Sequence, residues 1–177
     1  MAPTILFVPG FWEGSAPFSD VASLLQAQGY PTEIATLRST GTALPGNPSM
    51  KDDIDAIRST VGKIVDKGQH VEPGALRCRT PETLLFNDLD EEAAKGWAKK
   101  LQSQPASDWE GRVVYCGWRD ISSVYLVCEG DQYMKPINQL LSALGTKSKI
   151  EKCAAGHMPM ISMPEKVVEV IAMAAQA

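Results

Sequence analysis

The chain has 177 residues, 44% of them hydrophobic, and a formal net charge of -4. That supplies one well-filled core, and an acidic chain with scattered Lys and Arg offers no footprint for a nucleic-acid backbone. No apolar run comes near the roughly 18 residues needed to cross a bilayer, and the apolar N-terminal stretch has no basic leader and is cut short at Pro9-Gly10, so a cytoplasmic protein with no membrane partner is expected.

In chain order, Thr4 to Val8 is a continuous apolar run bounded by Pro-Gly, the pattern of a buried strand. Ser15 stands where it can cap a helix with Pro17 in its first turn and Val21, Leu24 and Leu25 facing inward, until Gly29 ends it. Pro31 to Leu37 reads as a second strand, so this is a strand-helix-strand crossover with parallel strands. A Gly/Pro-rich loop over 39–48 leads to a helix over 49–66, with Ser49 and Asp52 resembling a capping box and Met50, Ile54, Ile57, Val61, Ile64 and Val65 at helical spacing. The stretch 69–74 is too short and broken for a central strand.

Thr80 is placed to cap a short helix through Pro81, and Asp90 a second one from Glu91 to Leu101, with Ala94, Trp97 and Leu101 inward. Residues 113–115 read as a minor strand and Ser123 to Cys128 as a stronger one. A helix from Pro136 to Leu144, a strand from Lys149 to Cys153 and a closing helix from Pro164 to Ala175 complete a single α/β domain over 1–177, with a lid-like helical segment at about 75–110. The four cysteines, Cys78, Cys116, Cys128 and Cys153, lack Cys-x-x-Cys spacing and the chain has two histidines, so no metal or other cofactor is expected. Three of them lie in apolar runs and read as small buried hydrophobes.

Chemistry-bearing residues gather on the loops that follow three predicted strands: Pro9-Gly10-Phe11-Trp12, Glu129-Gly130-Asp131, and Ala155-Gly156-His157-Met158. Loops at one edge of a sheet are where α/β proteins assemble catalytic groups. His70, by contrast, follows the 49–66 helix, where a favourable interaction with the helix dipole accounts for it. The acidic run Asp88, Asp90, Glu91 and Glu92 reads as caps and a solvated helix start. Trp97 and Trp109 read as packing of the helical segment, and Arg77 and Arg79 as a solvated loop.

Together these segments resemble the α/β-hydrolase superfamily, close to its branch of small fungal esterases and hydroxynitrile lyases. Ile5 to Gly14 resembles the first catalytic strand and oxyanion loop, Val124 to Asp131 the acid-bearing strand, Gly156-His157-Met158-Pro159-Met160 the histidine loop, and Pro81-Glu82-Thr83-Leu84-Leu85-Phe86-Asn87-Asp88 the lid of fungal members. The resemblance implies Asp131 as acid, His157 as base, and backbone N–H groups of the Gly10, Phe11 and Trp12 loop as oxyanion donors. It also implies a nucleophile strand and a Gly-x-Ser-x-Gly elbow, and the sequence contains neither. A strand-helix-strand unit on the order of 30 residues or more is missing from the expected order.

The fold expected is therefore a reduced α/β-hydrolase fold: a mostly parallel sheet with helices on both faces, a helical lid, and the central nucleophile strand gone. With strands about 4.8 Å apart, deleting two opens a gap of roughly 10 Å. Either the sheet closes, setting the Thr4 strand beside the Ser123 strand, or a homodimer covers the edges. Three functions remain open. An Asp131–His157 base can abstract a proton beside a carbonyl in a small apolar, polyketide-like substrate, in a pocket lined by Trp12, Met158 and Trp118. Ser15, as a relocated nucleophile, or a water activated by His157 can hydrolyse small esters. Or the fold is catalytically silent and serves binding or dimerisation.

Overall fold

The N-terminal apolar run forms β1, Ile5–Phe7, in the computed structural model, which describes residues 2–10, 12–40, 52–57, 78, 80–102 and 117–176. β1 pairs in parallel with β2, Thr32–Ile34, setting Ile5 opposite Thr32 and Phe7 opposite Ile34. Flanking bonds from Ile5 N–H to Pro31 O (2.7 Å) and from Ala35 N–H to Phe7 O (2.8 Å) extend the ladder. Both strands are shorter than their apolar runs; Pro9 has no N–H with which to carry β1 further.

A 3₁₀ turn, Ala16–Phe18, leads into α1, Ser19–Ala27. Ser15 precedes that turn, but its hydroxyl makes no capping bond; only its carbonyl takes part, accepting from Phe18 N–H at 3.1 Å. The expected cap at Ser15 is thus not formed. Gly29 does end the helix: at φ 85° it lets Tyr30 N–H reach Leu25 O (3.0 Å) and its own N–H reach Gln26 O (2.9 Å), the paired closure that a left-handed residue permits. Val21 and Leu25, fully buried, pack with Phe7, Phe18, Tyr30 and Val168. Each such side chain contributes about 1.5–3 kcal/mol by leaving water. Val168 comes from the last helix of the chain, whose Val167 and Ile171 join the same core, so the two ends of the sequence share one packing layer.

Two short helices follow, α2, Pro81–Leu84, and α3, Glu91–Ala98. Asp90 caps α3 as expected, Oδ1 accepting from Ala93 N–H at 2.9 Å. Thr80 does not cap α2: it sits at φ 51° and its side chain makes no cap bond. α3 ends three residues before the expected Leu101, because the chain tightens into Lys100-to-Trp97 (2.9 Å) and Leu101-to-Ala98 (3.3 Å) bonds. Gln102 N–H then crosses to Trp12 O at 2.8 Å.

β3, Val124–Cys128, and β4, Lys149–Cys153, pair in parallel over five positions, from Val124 opposite Lys149 to Cys128 opposite Cys153. The crossover between them is α4, Pro136–Thr146. Gln139 and Ala143 are buried, whereas Ile137, Leu141 and Leu144 are 63%, 61% and 67% exposed. α5, Pro159–Ser162, and α6, Pro164–Ala174, close the chain.

Among the described residues, β1–β2 and β3–β4 form separate two-stranded sheets. The closure that sets the Thr4 strand directly beside the Ser123 strand is therefore not found there; β1 is three residues long and its pairing is with β2. Residues 52–57 are helical, the described part of the helix expected over 49–66, and Asp53 within it accepts from Ser39 N–H at 2.8 Å. The rest of that helix, the 69–74 stretch with His70, Arg77, Arg79, Trp109, the 113–115 strand and Cys116 lie outside the described residues. No helix among the described residues is long and apolar enough to cross a membrane.

Candidate functional site

β3 and β4 run in the same direction, so the loops at their C-terminal ends emerge side by side. Beyond the strands the ladder continues, with Glu129 N–H bonded to Cys153 O and Gly130 N–H to Ala155 O, both at 2.9 Å. Only glycine fits at position 130: a Cβ there would lie 2.9 Å from both Ala154 O and Ala155 O. That close approach brings the residues following each loop, Asp131 and His157, into contact. His157 Nδ1 stands 2.9 Å from Asp131 Oδ2.

Asp131 is 4% exposed, and each carboxylate oxygen has further partners. Oδ1 accepts from the N–H groups of Tyr133 (2.8 Å) and Met134 (2.9 Å); Oδ2 accepts from Gln139 Nε2 (3.2 Å) as well as from the imidazole. Gln139 is a brace rather than a simple donor: its Oε1 accepts from Cys128 N–H at 2.8 Å, and its Nε2 also faces Cys128 O (3.0 Å) and Met134 O (2.7 Å). This explains why α4 turns a polar side chain inward. An imidazole whose Nδ1–H donates to a carboxylate keeps its lone pair on Nε2, the arrangement of a general base. Among the described residues no hydroxyl or thiol is hydrogen-bonded to His157.

The helical segment holds these loops from the other side. Asn87 Nδ2 donates to Gly130 O at 2.9 Å, and Gly156 N–H donates to Asp88 Oδ2. Asp88 is thus an anchor for the histidine loop, not merely part of a solvated acidic run. A Cβ at Gly156 would lie 2.6 Å from Asn87 Oδ1 and from Asp88 Oδ1.

Trp12 adopts φ 65°, a left-handed conformation costly for a bulky residue. Its ring meets Tyr133 edge-on (centroids 6.3 Å apart), and Tyr133 in turn meets the His157 ring edge-on at 5.0 Å. Beside this row lies a cleft of about 220 Å³, walled by Trp12, Phe86, Trp97, Leu101 and Met158, with Glu13, Ser15, Lys100 and Gln102 as its polar and charged lining. Lys100 Nζ sits 3.6 Å over the Trp97 ring. Glu13 is 8% exposed, and burial pushes its carboxyl up to about 7 against the opposing pull of a hydrogen bond from the Gly10 backbone.

The sequence-predicted residues are thus placed unevenly. His157 and Asp131 are brought together, and Trp12 and Met158 line the cleft. Ser15 lines the cleft but is not hydrogen-bonded to His157. The backbone N–H of Gly10 faces Glu13, so it is not a ready oxyanion donor, and Phe11 lies outside the described residues. Trp118 is not in the cleft: it is 47% exposed on the 3₁₀ turn Gly117–Arg119, which precedes β3, at the end of the strand opposite Asp131. Cys128 and Cys153 lie 3.8 Å apart, sulfur to sulfur, and burial with the neighbouring thiol pushes Cys128 far above the ordinary thiol range, so it carries no nucleophile. Among the described residues no cluster of His, Cys, Asp and Glu could hold a metal ion.

Gln139, Asn87, Glu13 and Tyr133 were not legible as site residues. The one available signal was Gln139 itself, an amide interrupting the apolar rows of a helix eight residues after an acid.

A model of the alpha/beta hydrolase family matches residues 68–170. An alpha/beta hydrolase of Aspergillus novofumigatus is 21% identical over 244 residues, covering 99% of this chain and 97% of its own length. A probable hydrolase of a Phoma species is 22% identical over 236 residues, covering 96% and 97%. Both matched spans exceed the 177 residues of this chain, so each relative carries internal sequence that this chain lacks. Among solved structures, an extracellular alpha/beta-hydrolase from a Paenibacillus species superposes with a TM-score of 0.75 at 13% identity, with all of both chains covered. A methylesterase from Arabidopsis superposes with a TM-score of 0.71 at 14% identity, covering 99% of each chain.

Proposed function

The chain belongs to the alpha/beta hydrolase family, in a reduced form of its fold, and from that premise we propose that it is a cofactor-free, non-hydrolytic enzyme in which His157 is the general base. The observation that carries this reading is the 2.9 Å contact between His157 Nδ1 and a buried Asp131 carboxylate, with no serine or cysteine on the imidazole among the described residues. His157 Nε2 takes a proton from the carbon beside a substrate carbonyl. The C–H electron pair moves into the carbonyl to give an enolate, and Asp131 stabilises the imidazolium that results. Return of the proton to another position gives isomerisation; attack of that carbon on an electrophilic carbon of the same molecule gives cyclisation, and departure of a leaving group from the next carbon, with its bonding pair, gives elimination. The apolar walls of the cleft suit a small, mainly apolar carbonyl compound of polyketide type.

Ester hydrolysis through Ser15 has one supporting observation, its place in the cleft lining. The two readings part on a direct test. A fluorophosphonate serine probe is expected to leave the protein unlabelled, and Ser15→Ala to retain deuterium loss from an α-deuterated aryl ketone, followed by mass spectrometry. Labelling at Ser15, with ester turnover lost in the alanine variant, would replace the base by a nucleophile.

A homodimer is part of the same proposal. Its support is the row Ile137, Leu141 and Leu144, at i, i+4 and i+7 along α4 and each more than 60% exposed, which a second copy of the helix would cover. Sedimentation should show a dimer that Leu141→Glu dissociates; a wild-type monomer at micromolar concentration would remove this part of the proposal.

A further inference from the structure

The base accounts for one half of a carbonyl reaction and leaves unassigned the group that holds the carbonyl oxygen. The backbone loop that the family resemblance nominates for this task carries an obstacle, because the N–H of Gly10 already faces the Glu13 carboxyl. A carboxylate beside an oxyanion would repel it, whereas a carboxylic acid would donate a hydrogen bond to it. Glu13 is 8% exposed and lines the cleft together with the apolar Trp12, Phe86, Trp97, Leu101 and Met158. Gln102 N–H, bonded to Trp12 O at 2.8 Å, closes the helical segment down onto the same loop.

We propose that Glu13 is the polar anchor of this cleft and acts as a carboxylic acid, donating its proton in a hydrogen bond to the carbonyl oxygen of a neutral, apolar ketone. The claim rests on the His157 reading only for its catalytic use; as a statement about binding it stands alone. In the reaction no bond to Glu13 breaks: as the α-proton passes to His157 and negative charge gathers on the carbonyl oxygen, the hydrogen bond from Glu13 shortens and strengthens. Burial, the dominant influence on this carboxyl, keeps it protonated up to about pH 7. The other charged group in the cleft lining is Lys100, whose Nζ lies over the Trp97 ring. On the side of the histidine loop the cleft lining is Met158, with the Asp131–His157 pair beyond it.

The test uses acetophenone and ethylbenzene, a matched pair differing in the carbonyl, with binding read by tryptophan fluorescence between about pH 5.5 and about pH 8.5. Acetophenone should bind about tenfold more weakly at the alkaline end, while ethylbenzene binding stays flat. Glu13→Gln, which retains an N–H donor and cannot ionise, should keep the acid-side affinity and lose the pH dependence. The base hypothesis is judged by turnover in His157→Ala and the present one by binding to the wild type and to Glu13→Gln, so the two can fail separately. Flat binding of acetophenone in the wild type, an unaltered pH profile in Glu13→Gln, or no binding of either probe would each overturn the assignment. The wild-type comparison alone decides the matter if the Gln variant does not fold.

Discussion

Replacing His157 by alanine is expected to lower turnover by about 10²–10⁴-fold, the range a positioned general base supplies, and the variant should stay folded, since Asp131 keeps its bonds from Tyr133 N–H, Met134 N–H and Gln139 Nε2. Asp131→Asn should cost a similar factor for a different reason. The amide can still accept from Tyr133 N–H and Met134 N–H, but its NH₂ then faces two donors, the imidazole Nδ1–H and Gln139 Nε2. The imidazole relieves the clash by moving its proton to Nε2, the atom that should be bare. Asp131→Asn should therefore be inactive yet folded, destabilised by about 1–3 kcal/mol for the bonds it breaks. Kinetics of α-deuterium loss together with thermal unfolding separate the two variants. Wild-type turnover in His157→Ala would end the base mechanism outright.

Gly156→Ala should be nearly as damaging, although position 156 bears no chemistry. A Cβ there stands 2.6 Å from Asn87 Oδ1 and Asp88 Oδ1, and 2.8 Å from Asp88 Cγ, so the loop or the helical segment must move. Overpacking of this kind costs about 1–3 kcal/mol. The same displacement carries His157, the next residue, off its line to Asp131, and a shift of about 1 Å in a catalytic group is worth roughly 10²-fold. Gly145→Ala supplies the contrast: it lies within α4, a Cβ there meets nothing within 4 Å, and exchange in a helix should stabilise by about 0.5–1 kcal/mol. Unfolding temperatures and kcat for the two alanine variants check both statements. Equal behaviour of the two would mean that the Asp88–Gly156 contact does not hold the histidine loop.

Much of this was legible from the sequence because its signals are local. β4 spans the expected Lys149–Cys153, Gly29 ends α1, and Asp90 caps α3, each set by the residues immediately around it. The pairing of Asp131 with His157 was what the family resemblance implied, loop order alone placing their loops at one sheet edge, and the contact is present. What stayed hidden depends on partners distant in the chain. Asp88, two residues before a capping aspartate, reads as one more helix-start acid until Gly156, 68 positions away, claims it. On α4 the sequence marked a helix but not its inward face: Ile137, Leu141 and Leu144 are exposed, and the inward place is taken by Gln139, which bonds the backbone of Cys128 and Met134. Trp118 was misplaced because an aromatic residue carries no mark of which end of its strand it borders.

The segment Pro81–Gln102 is fastened at more than one place: Asn87 to Gly130, Asp88 to Gly156, and Gln102 to Trp12. A cover bolted to three separate parts of what it shelters is not a hinged flap. To lift, it would have to release the very backbone groups that keep the imidazole aligned, so opening and competence exclude one another. Reactants must then come and go through the standing mouth of the cleft, and the bore of that mouth, rather than any swing of the roof, becomes the sieve on molecular size.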